Sequence, residues 1–412
     1  MVNCYFYMST PLTPQRERWL LITLAGIQFT HIVDFMVMMP LGPQFIKLFE
    51  INDAQFGLLV SAYTLAAGAS GLLSSLYVDR FGRKKLLLTL YLLFALATLA
   101  CGLAPTYDSL MAARVAAGAF GGVLSALSQT IVADVVPYDR RGRAMAVVMS
   151  SFSLATVAGV PISLFLAAHS GWHAPFYAIA MVCALLGVTA WCTMPALNAH
   201  VQSEPQSALE NIRQVLIDRN HQKAFLFSAL LMFAGFTVIP YIAIYSMTNG
   251  GLTDKEIPYI YLCGGAATLV TARWIGRMTD KLGKAQMFRR VALVTMLPMG
   301  LVTQSATWGL WGILAVSTSF FICMSGRMTP GMAIVSAAGN PQLRGTYMAL
   351  NSAVQSASMG LAAFVGGLII NRDANGLVQH YGGNALVGIS ATLLSIWLAG
   401  KLFLHGAPRT PK

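Results

Sequence analysis

Charge is the scarcest property of this sequence of 412 residues. Only 10% of its residues are charged, whereas soluble domains carry about 25%. Hydrophobic residues make up 56% of the chain, and the mean hydropathy is +0.64. A chain of this composition has too little polar surface for a soluble protein of its length, so we expect a membrane protein rather than a soluble enzyme.

Sequence motifs for metal binding and catalysis are also missing. The six cysteines show no CxxC spacing and lie mostly in apolar runs, so we expect neither disulfides nor a metal site. No HExxH, GxSxG or Walker pattern occurs, and the sequence therefore predicts no catalytic residues, no cofactor and no enzymatic activity.

Apolar segments of membrane-spanning length fill most of the chain. A hydrocarbon core of about 30 Å needs about 20 helical residues at 1.5 Å each. Twelve segments qualify, near 19–41, 56–78, 86–104, 108–136, 143–169, 173–195, 223–248, 257–277, 287–305, 307–337, 344–371 and 383–404. We therefore predict an all-α membrane protein with twelve transmembrane helices.

The basic residues are distributed unevenly among the loops. Of the 27 Lys and Arg residues, 21 lie in the termini and in alternate loops, and only Lys47, Lys255 and Arg372 lie in the opposite loops. Cytoplasmic loops carry an excess of Lys and Arg, so both termini should be cytoplasmic, in the inner (plasma) membrane. This placement explains the sequence pI of about 9.6 without a nucleic-acid partner; the lipid bilayer is the expected surrounding, and we expect a monomer.

Two landmarks recur at nearly the same offset. Asp79 and Gly82 return as Asp280 and Gly283, 201 residues later, and Arg141-Gly142 returns as Arg344-Gly345, 203 residues later. The repetition predicts two pseudo-symmetric halves of six helices each. The predicted divisions are an N-terminal tail 1–18, a first half 19–195, a linker 196–222 with a short amphipathic helix, a second half 223–404 and a tail 405–412.

Asp34 is a carboxylate well inside the first apolar segment. It lies about 22 Å from the segment's cytoplasmic end, and Arg114 lies about 9 Å from the outer end of the fourth segment. These depths nearly match in a core of about 30 Å, so the two could form an ion pair. His31 shares a helical face with Asp34. Because charges inside membranes mark proton pathways, we predict proton coupling through Asp34, Arg114 and His31, against the alternative of an ion pair that only holds helices together.

The loop from Asp79 to Lys85, Asp-Arg-Phe-Gly-Arg-Lys-Lys, resembles the signature loop of the major facilitator superfamily, and the resemblance covers nearly the whole chain. The stretch that begins at Asp34 is similar to the first span of proton-coupled drug and sugar antiporters. The stretch from Arg114 to Gly118 resembles the Arg-x-x-Gln-Gly motif of their fourth span, although Ala117 replaces the glutamine. The stretch Ala155 to Pro161 resembles the antiporter motif of the fifth span.

The resemblance implies further roles. In the family the signature loop belongs to a cytoplasmic latch between the halves, which here predicts a latch of Asp79, Gly82, Arg83, Asp134 and Asp280. Gly82 should permit a tight turn, although the loop could instead serve only to orient the chain.

Gly159 and Pro161 should bend the fifth helix. The stretch around Arg327, from Cys323 to Pro330, resembles the tenth span of arabinose-efflux-like permeases. Gly326 and Pro330 predict an irregular helix that lines a cavity, where Arg327 would act on substrate or in coupling; the alternative is a structural pair. The other predicted cavity residues, each also compatible with simple packing, are Tyr241, Asn351, Gln355 and Met38.

The resemblance and the buried charges together predict proton-coupled export of a small organic molecule, such as a drug or sugar, by alternating access. A first alternative is a proton symporter or facilitator for uptake of a sugar or organic anion, which cavity arginines would favour. A second is a membrane receptor or lipid-handling protein that does not transport.

Overall fold

Twelve helical spans make up the computed structural model, which describes residues 14–74, 81–136, 138–194 and 208–404. In chain order the helices are α1 (Pro14–Val37), α2 (Gly42–Phe49), α3 (Asp53–Ser74), α4 (Arg83–Leu103), α5 (Tyr107–Val135), α6 (Tyr138–Leu154), α7 (Val160–Ser170), α8 (His173–Thr193), α9 (Ala208–Ile217), α10 (Arg219–Phe236), α11 (Ile242–Thr248), α12 (Ile257–Leu282), α13 (Lys284–Val302), α14 (Gly309–Ala338), α15 (Arg344–Ile369) and α16 (Tyr381–Ala399). A short antiparallel hairpin, β1 (Asn371–Arg372) and β2 (Val378–Gln379), joins the last two helices.

Ten of these spans are long and apolar enough to cross a membrane by themselves. Helices α12 and α13 have the necessary length, with 26 and 19 residues, or about 39 and 28 Å at 1.5 Å per residue. They have a lower hydropathy because basic residues lie within them, Arg273 in α12 and Arg289 and Arg290 in α13. Long basic side chains reach the interface by extending their apolar stems along the helix, so these two helices complete the predicted set of twelve.

The seventh span differs from the uninterrupted segment that was predicted for 223–248. It begins four residues earlier, at Arg219, because the side chain of Asp218 caps the helix by accepting hydrogen bonds from two backbone N–H groups. It is then interrupted after Phe236, where a turn and a 3₁₀ segment, Ile239–Tyr241, precede α11. Pro240 lies in that segment and supplies no backbone N–H to continue an α-helix.

The fifth span is interrupted at the motif that predicted a bend. A single π-helical turn, Ala155–Gly159, separates α6 from α7, and Pro161 lies in the first turn of α7. A Cβ at Gly159 would lie 2.3 Å from Cγ2 of Val33, so only a glycine allows α1 to approach this closely. The π turn is therefore a contact surface for the helix that carries Asp34.

The two halves pack along two helix pairs. Helix α3 of the first half lies along α15 of the second, and the π turn and α7 lie against α12. Small residues permit the approach: a Cβ at Gly68 would lie 3.1 Å from the carbonyl oxygen of Ala353, and one at Gly265 would lie 2.9 Å from that of Thr156. Close packing of this kind is typical of helix interfaces in membranes, where small residues let backbones meet.

The linker helix α9 packs on the second half. Val215 is fully buried against the core of that half, whereas the adjacent Leu216 is exposed. Gly82 has a φ of −59°, which any residue can adopt, so its part in a tight turn stays a prediction. Its counterpart Gly283 has a φ of +86° and does require glycine.

The two ends of the helix bundle differ in the charge of their loops. One end carries residues 38–52, 104–106, 249–256 and 370–380, where Lys47, Lys255 and Arg372 are the basic residues. This end is called the basic-poor face. The opposite end, which carries the turn between α12 and α13, is called the basic-rich face.

Candidate functional site

A fully buried ion pair lies between the first and fourth spans. Nη1 of Arg114 donates to Oδ2 of Asp34 at 2.8 Å and also reaches the backbone oxygen of Asp34 at 3.3 Å. Both side chains are 0% exposed. The two residues whose depths were predicted to match are thus in contact, because the regular rise of a helix places them at one level of the bundle.

The pair leaves several polar atoms without partners. Oδ1 of Asp34 and both Nε and Nη2 of Arg114 are buried and make no hydrogen bond to any described residue. A buried polar atom without a partner costs free energy, of the order of 1–3 kcal/mol. The carboxylate therefore keeps an oxygen that could accept a proton without first breaking its contact with Arg114.

His31 lies one helical turn before Asp34, close to aromatic rings rather than to the ion pair itself. Its ring centroid is 5.9 Å from that of Tyr63 and 6.1 Å from that of Phe94. Both ring nitrogens are buried and have no partner among the described groups. No hydrogen bond joins His31 to Asp34 or Arg114 in the described part of the chain, so its role in proton coupling stays a prediction.

In this conformation Arg327 lies in the environment of the structural alternative and not in a cavity. Helix α14 runs through Gly326 and Pro330 without interruption, so the expected irregular helix is absent there. The guanidinium is 0% exposed and donates to Oγ1 of Thr392 at 2.9 Å and to the carbonyl oxygen of Leu231 at 3.0 Å. These contacts tie three helices of the second half together, and they do not line an open cavity.

The other predicted cavity residues are mostly inaccessible in this conformation. Met38 and Tyr241 are 0% exposed and Asn351 is 1% exposed, although Oδ1 of Asn351 has no partner among described residues. Gln355 is half-buried and donates to the hydroxyl of Ser228 at 2.8 Å. A solute could reach the first three only after the halves move, so their predicted contact with substrate is not visible here.

A contact across the basic-poor face was not predicted. Arg372 of the hairpin holds Asp53 of α3 with two hydrogen bonds, Nε to Oδ2 at 2.8 Å and Nη2 to Oδ1 at 2.9 Å. Nearby, Nε2 of Gln44 donates to Oδ1 of Asp254 at 3.1 Å. Both contacts join the first half to the second. The sequence does carry a signal for this contact, because Arg372 is one of only three basic residues in these loops.

A sequence model of the Major Facilitator Superfamily matches residues 24–363. The chain belongs to this superfamily. Two relatives from Bacillus subtilis (strain 168) align over most of both chains. The uncharacterized MFS-type transporter YbcL is 23% identical and covers 91% of this chain and 95% of its own. Multidrug resistance protein 2 is 22% identical, with 92% and 95% covered.

Solved structures show the same superfamily fold. The D-xylose-proton symporter superposes with a TM-score of 0.79 at 16% identity, covering 95% of this chain and 98% of the other. A bacterial homolog of the human lysosomal transporter Spinster, in an inward-facing and unoccupied conformation, superposes with a TM-score of 0.74 at 16% identity and the same coverage. The twelve helices in two halves are therefore the major facilitator fold, and the protein is a multi-pass membrane transporter.

The superfamily's signature loop lies only partly within the described residues. Asp79 falls outside them, as do the side chains of Asp134 and Asp280. Gly82 precedes the first residue of α4, and the side chain of the next residue, Arg83, is buried at 3% exposure. A buried arginine at the end of a span needs a partner, which agrees with a latch but does not identify its members. The latch therefore stays a prediction.

Proposed function

We propose that this transporter exports a small organic molecule in exchange for protons, and that Asp34 carries the proton. In this proposal the basic-rich face is cytoplasmic, following the distribution of Lys and Arg, and both termini lie on that side of the inner membrane. The second half moves against the first to expose a central site alternately to each face.

The observation that carries the proposal is the buried pair of Asp34 and Arg114. The guanidinium at 2.8 Å stabilises the charged form of the Asp34 carboxylate. Removal of that carboxylate from water destabilises the same charged form. Opening of the bundle to either face would change the desolvation while leaving the guanidinium in place. Coupling to protons requires a group whose affinity for a proton depends on the conformation of the protein. The carboxylate of Asp34 would be such a group.

The contacts between the halves supply the second element of the proposal. At the basic-poor face the pair of Asp53 and Arg372 and the contact of Gln44 with Asp254 hold the halves together. We infer that this conformation is closed on the outside, and that release of these contacts opens the outward path.

Export is favoured over uptake by the residues around Asp34 and by the likeness to Multidrug resistance protein 2. Uptake of an organic anion was the alternative that arginines in a cavity would have supported. Arg114 and Arg327 both donate hydrogen bonds to protein groups, which weakens that support, although Nε of each has no partner among the described residues. Uptake of a neutral sugar is left as the second candidate, because Asp34 could couple protons in either direction.

The decisive experiment compares Asp34→Asn with the unaltered protein in proteoliposomes that carry an imposed pH gradient. A panel of apolar fluorescent organic cations and radiolabelled sugars is tested with the gradient in each direction. Because asparagine cannot bind or release a proton, we expect uphill transport to fall to background in Asp34→Asn. Exchange without a gradient should remain measurable, since it needs the conformational cycle but no net proton movement.

Asp108→Asn is the matched control, because Asp108 is an exposed carboxylate in the first turn of α5 and its loss should leave uphill transport unchanged. Uphill transport by Asp34→Asn at the unaltered rate would show that Asp34 is only a structural partner of Arg114. If the substrate accumulates when protons flow in the same direction as the substrate, and not in the opposite direction, the protein takes up its substrate by symport and the proposal of export is wrong.

A further inference from the structure

A stack of aromatic rings extends from the buried ion pair to the other half of the protein. Cζ of Arg114 lies 4.3 Å from the ring centroid of Tyr63. Tyr63 stacks on Phe35 with centroids 5.5 Å apart and planes 24° apart, and Phe35 stacks on Phe236 at 6.0 Å and 26°. Tyr63 and Phe35 belong to the first half, and Phe236 belongs to the second. The stack thus joins the charged groups to the interface between the halves.

The stack ends where the seventh span is interrupted. Phe236 is the last residue of α10, and the 3₁₀ segment that follows ends at Tyr241. Tyr241 touches the first half as well, with its ring 6.1 Å from that of Phe56, and its hydroxyl donates to the carbonyl of Ala363. The segment between Phe236 and Tyr241 is therefore held at both ends by aromatic contacts with the first half. Interrupted helices at membrane depth are tolerated where they are buried in protein or line a water-filled cavity, and in transporters they often form the binding site.

We propose that the rings of Tyr63, Phe35 and Phe236 transmit the charge state of Asp34 to the interrupted segment of the seventh span, which then sets the contact between the halves. The proposal rests on the proposed function, in which Asp34 carries the proton. It assigns Phe35 and Phe236 as positioning residues that touch neither the proton nor its carboxylate.

The physical reason lies in the partners of Arg114. Its hydrogen bonds in the described part of the chain go to Asp34, the thiol of Cys101 lies nearby, and its guanidinium faces the ring of Tyr63. When Asp34 gains a proton, the guanidinium loses its counter-charge, while attraction to the ring remains. A shift of the guanidinium relative to Tyr63 displaces that ring. Because protein interiors are closely packed, the rings stacked on it must follow.

A purely structural role for the stack predicts a different result. If the rings only fill space, replacement of Phe236 by leucine lowers stability and leaves the response to pH unaltered. If the rings transmit the charge state, the same change uncouples the two halves from Asp34. The response of the conformation to pH therefore separates the two roles, whereas a loss of stability alone does not.

The test measures the distance between the halves at the basic-poor face by pulsed electron–electron double resonance. Spin labels are attached at Lys47→Cys and Lys255→Cys, which are exposed residues of the first and second half. Cys4, Cys192, Cys263 and Cys323 are replaced by serine, while Cys101 and Cys183 are buried and stay. The protein is studied in proteoliposomes between pH 5 and pH 9, without any added substrate.

We expect the ratio of open to closed distances to change with pH in the protein with intact Asp34, and to be constant in Asp34→Asn. In Phe236→Leu, which removes one aromatic pair, the pH-dependent change in this ratio should be about fivefold smaller, in line with the typical strength of such a pair. Phe35→Leu removes two pairs and should reduce the change at least as much. Phe236→Tyr keeps a ring and should restore the response. Phe233→Leu is the matched control, since Phe233 lies on the same helix and stacks on no described ring.

The outcomes separate this proposal from the one on which it rests. A ratio that does not change with pH in the parent protein, or that still changes in Asp34→Asn, refutes the proton-carrying role and the transmission with it. Loss of the response in Asp34→Asn with an intact response in Phe236→Leu refutes the transmission alone. If Phe233→Leu loses the pH response equally, or if Phe236→Tyr does not restore it, the aromatic stack has only a packing role. If Phe236→Leu does not fold, Phe35→Leu and Phe236→Tyr decide the question.

Discussion

Removal of Arg372 should open the basic-poor face. Arg372 binds Asp53 with two hydrogen bonds of 2.8 and 2.9 Å, and the side chain of Asp53 is only 4% exposed. In Arg372→Gln the carboxylate keeps its burial and loses its counter-charge as long as the halves are closed. In the open conformation water would solvate the same carboxylate. The substitution therefore destabilises the closed conformation and leaves the open one almost unaffected.

The magnitude follows from the burial of the two partners. Exposed ion pairs contribute about 0–1 kcal/mol, whereas removal of one partner from a buried pair costs about 3–5 kcal/mol. Asp53 is buried but Arg372 is 28% exposed, so solvent screens part of the interaction. We take an intermediate cost of about 2 kcal/mol, which shifts the ratio of open to closed protein by about 30-fold at 1.4 kcal/mol per tenfold change.

The assay uses a cysteine at the closed interface. Ala363 is 0% exposed where α15 meets α3, so Ala363→Cys should react with a membrane-impermeant maleimide only when the outer path opens. With opening faster than labelling, the labelling rate reports the open fraction. We expect the rate in spheroplasts to rise about 30-fold on addition of Arg372→Gln.

Two control variants test whether the effect comes from the pair of Asp53 and Arg372. Arg213→Gln breaks an ion pair with Glu210 in which the side chains are 72% and 50% exposed, and it should leave the labelling rate unchanged. Exchange of the two charges, with Asp53→Arg and Arg372→Asp together, should restore part of the closed state. An unchanged labelling rate in Arg372→Gln would refute the role of this pair in closing the outer face.

The remaining predictions concern glycines. A Cβ at Gly118 would lie 2.2 Å from a backbone carbonyl oxygen of α3, so Gly118→Leu should abolish folding. Nothing lies within 4 Å of a Cβ at Gly276, so Gly276→Leu should fold normally. Size-exclusion profiles after expression test both variants. Gly283→Ala forces a φ of +86° on a residue with a side chain and should cost at least about 1 kcal/mol. Gly82→Ala, at a φ of −59°, should be nearly neutral, and equal thermal unfolding midpoints for the two variants would contradict this reasoning.

Features that depend on membrane thickness and helical rise were predictable from the sequence. The twelve spans were located within a few residues because each apolar run must bridge the hydrocarbon core. The contact of Asp34 with Arg114 was also anticipated, since the depth of a residue in a straight helix follows from its position along the chain. The interruption of the fifth span at Ala155–Gly159 coincided with a motif read from residues 155–161.

Only the tertiary structure decided which faces of the helices meet. In a membrane a helix can be apolar on all sides, so hydropathy has little period and does not reveal which side chains point at a neighbouring helix. The contact of Arg327 with Thr392 and the pair of Asp53 with Arg372 therefore went unpredicted. The last joins residues 319 positions apart, and such a contact exists only because the two halves close against each other.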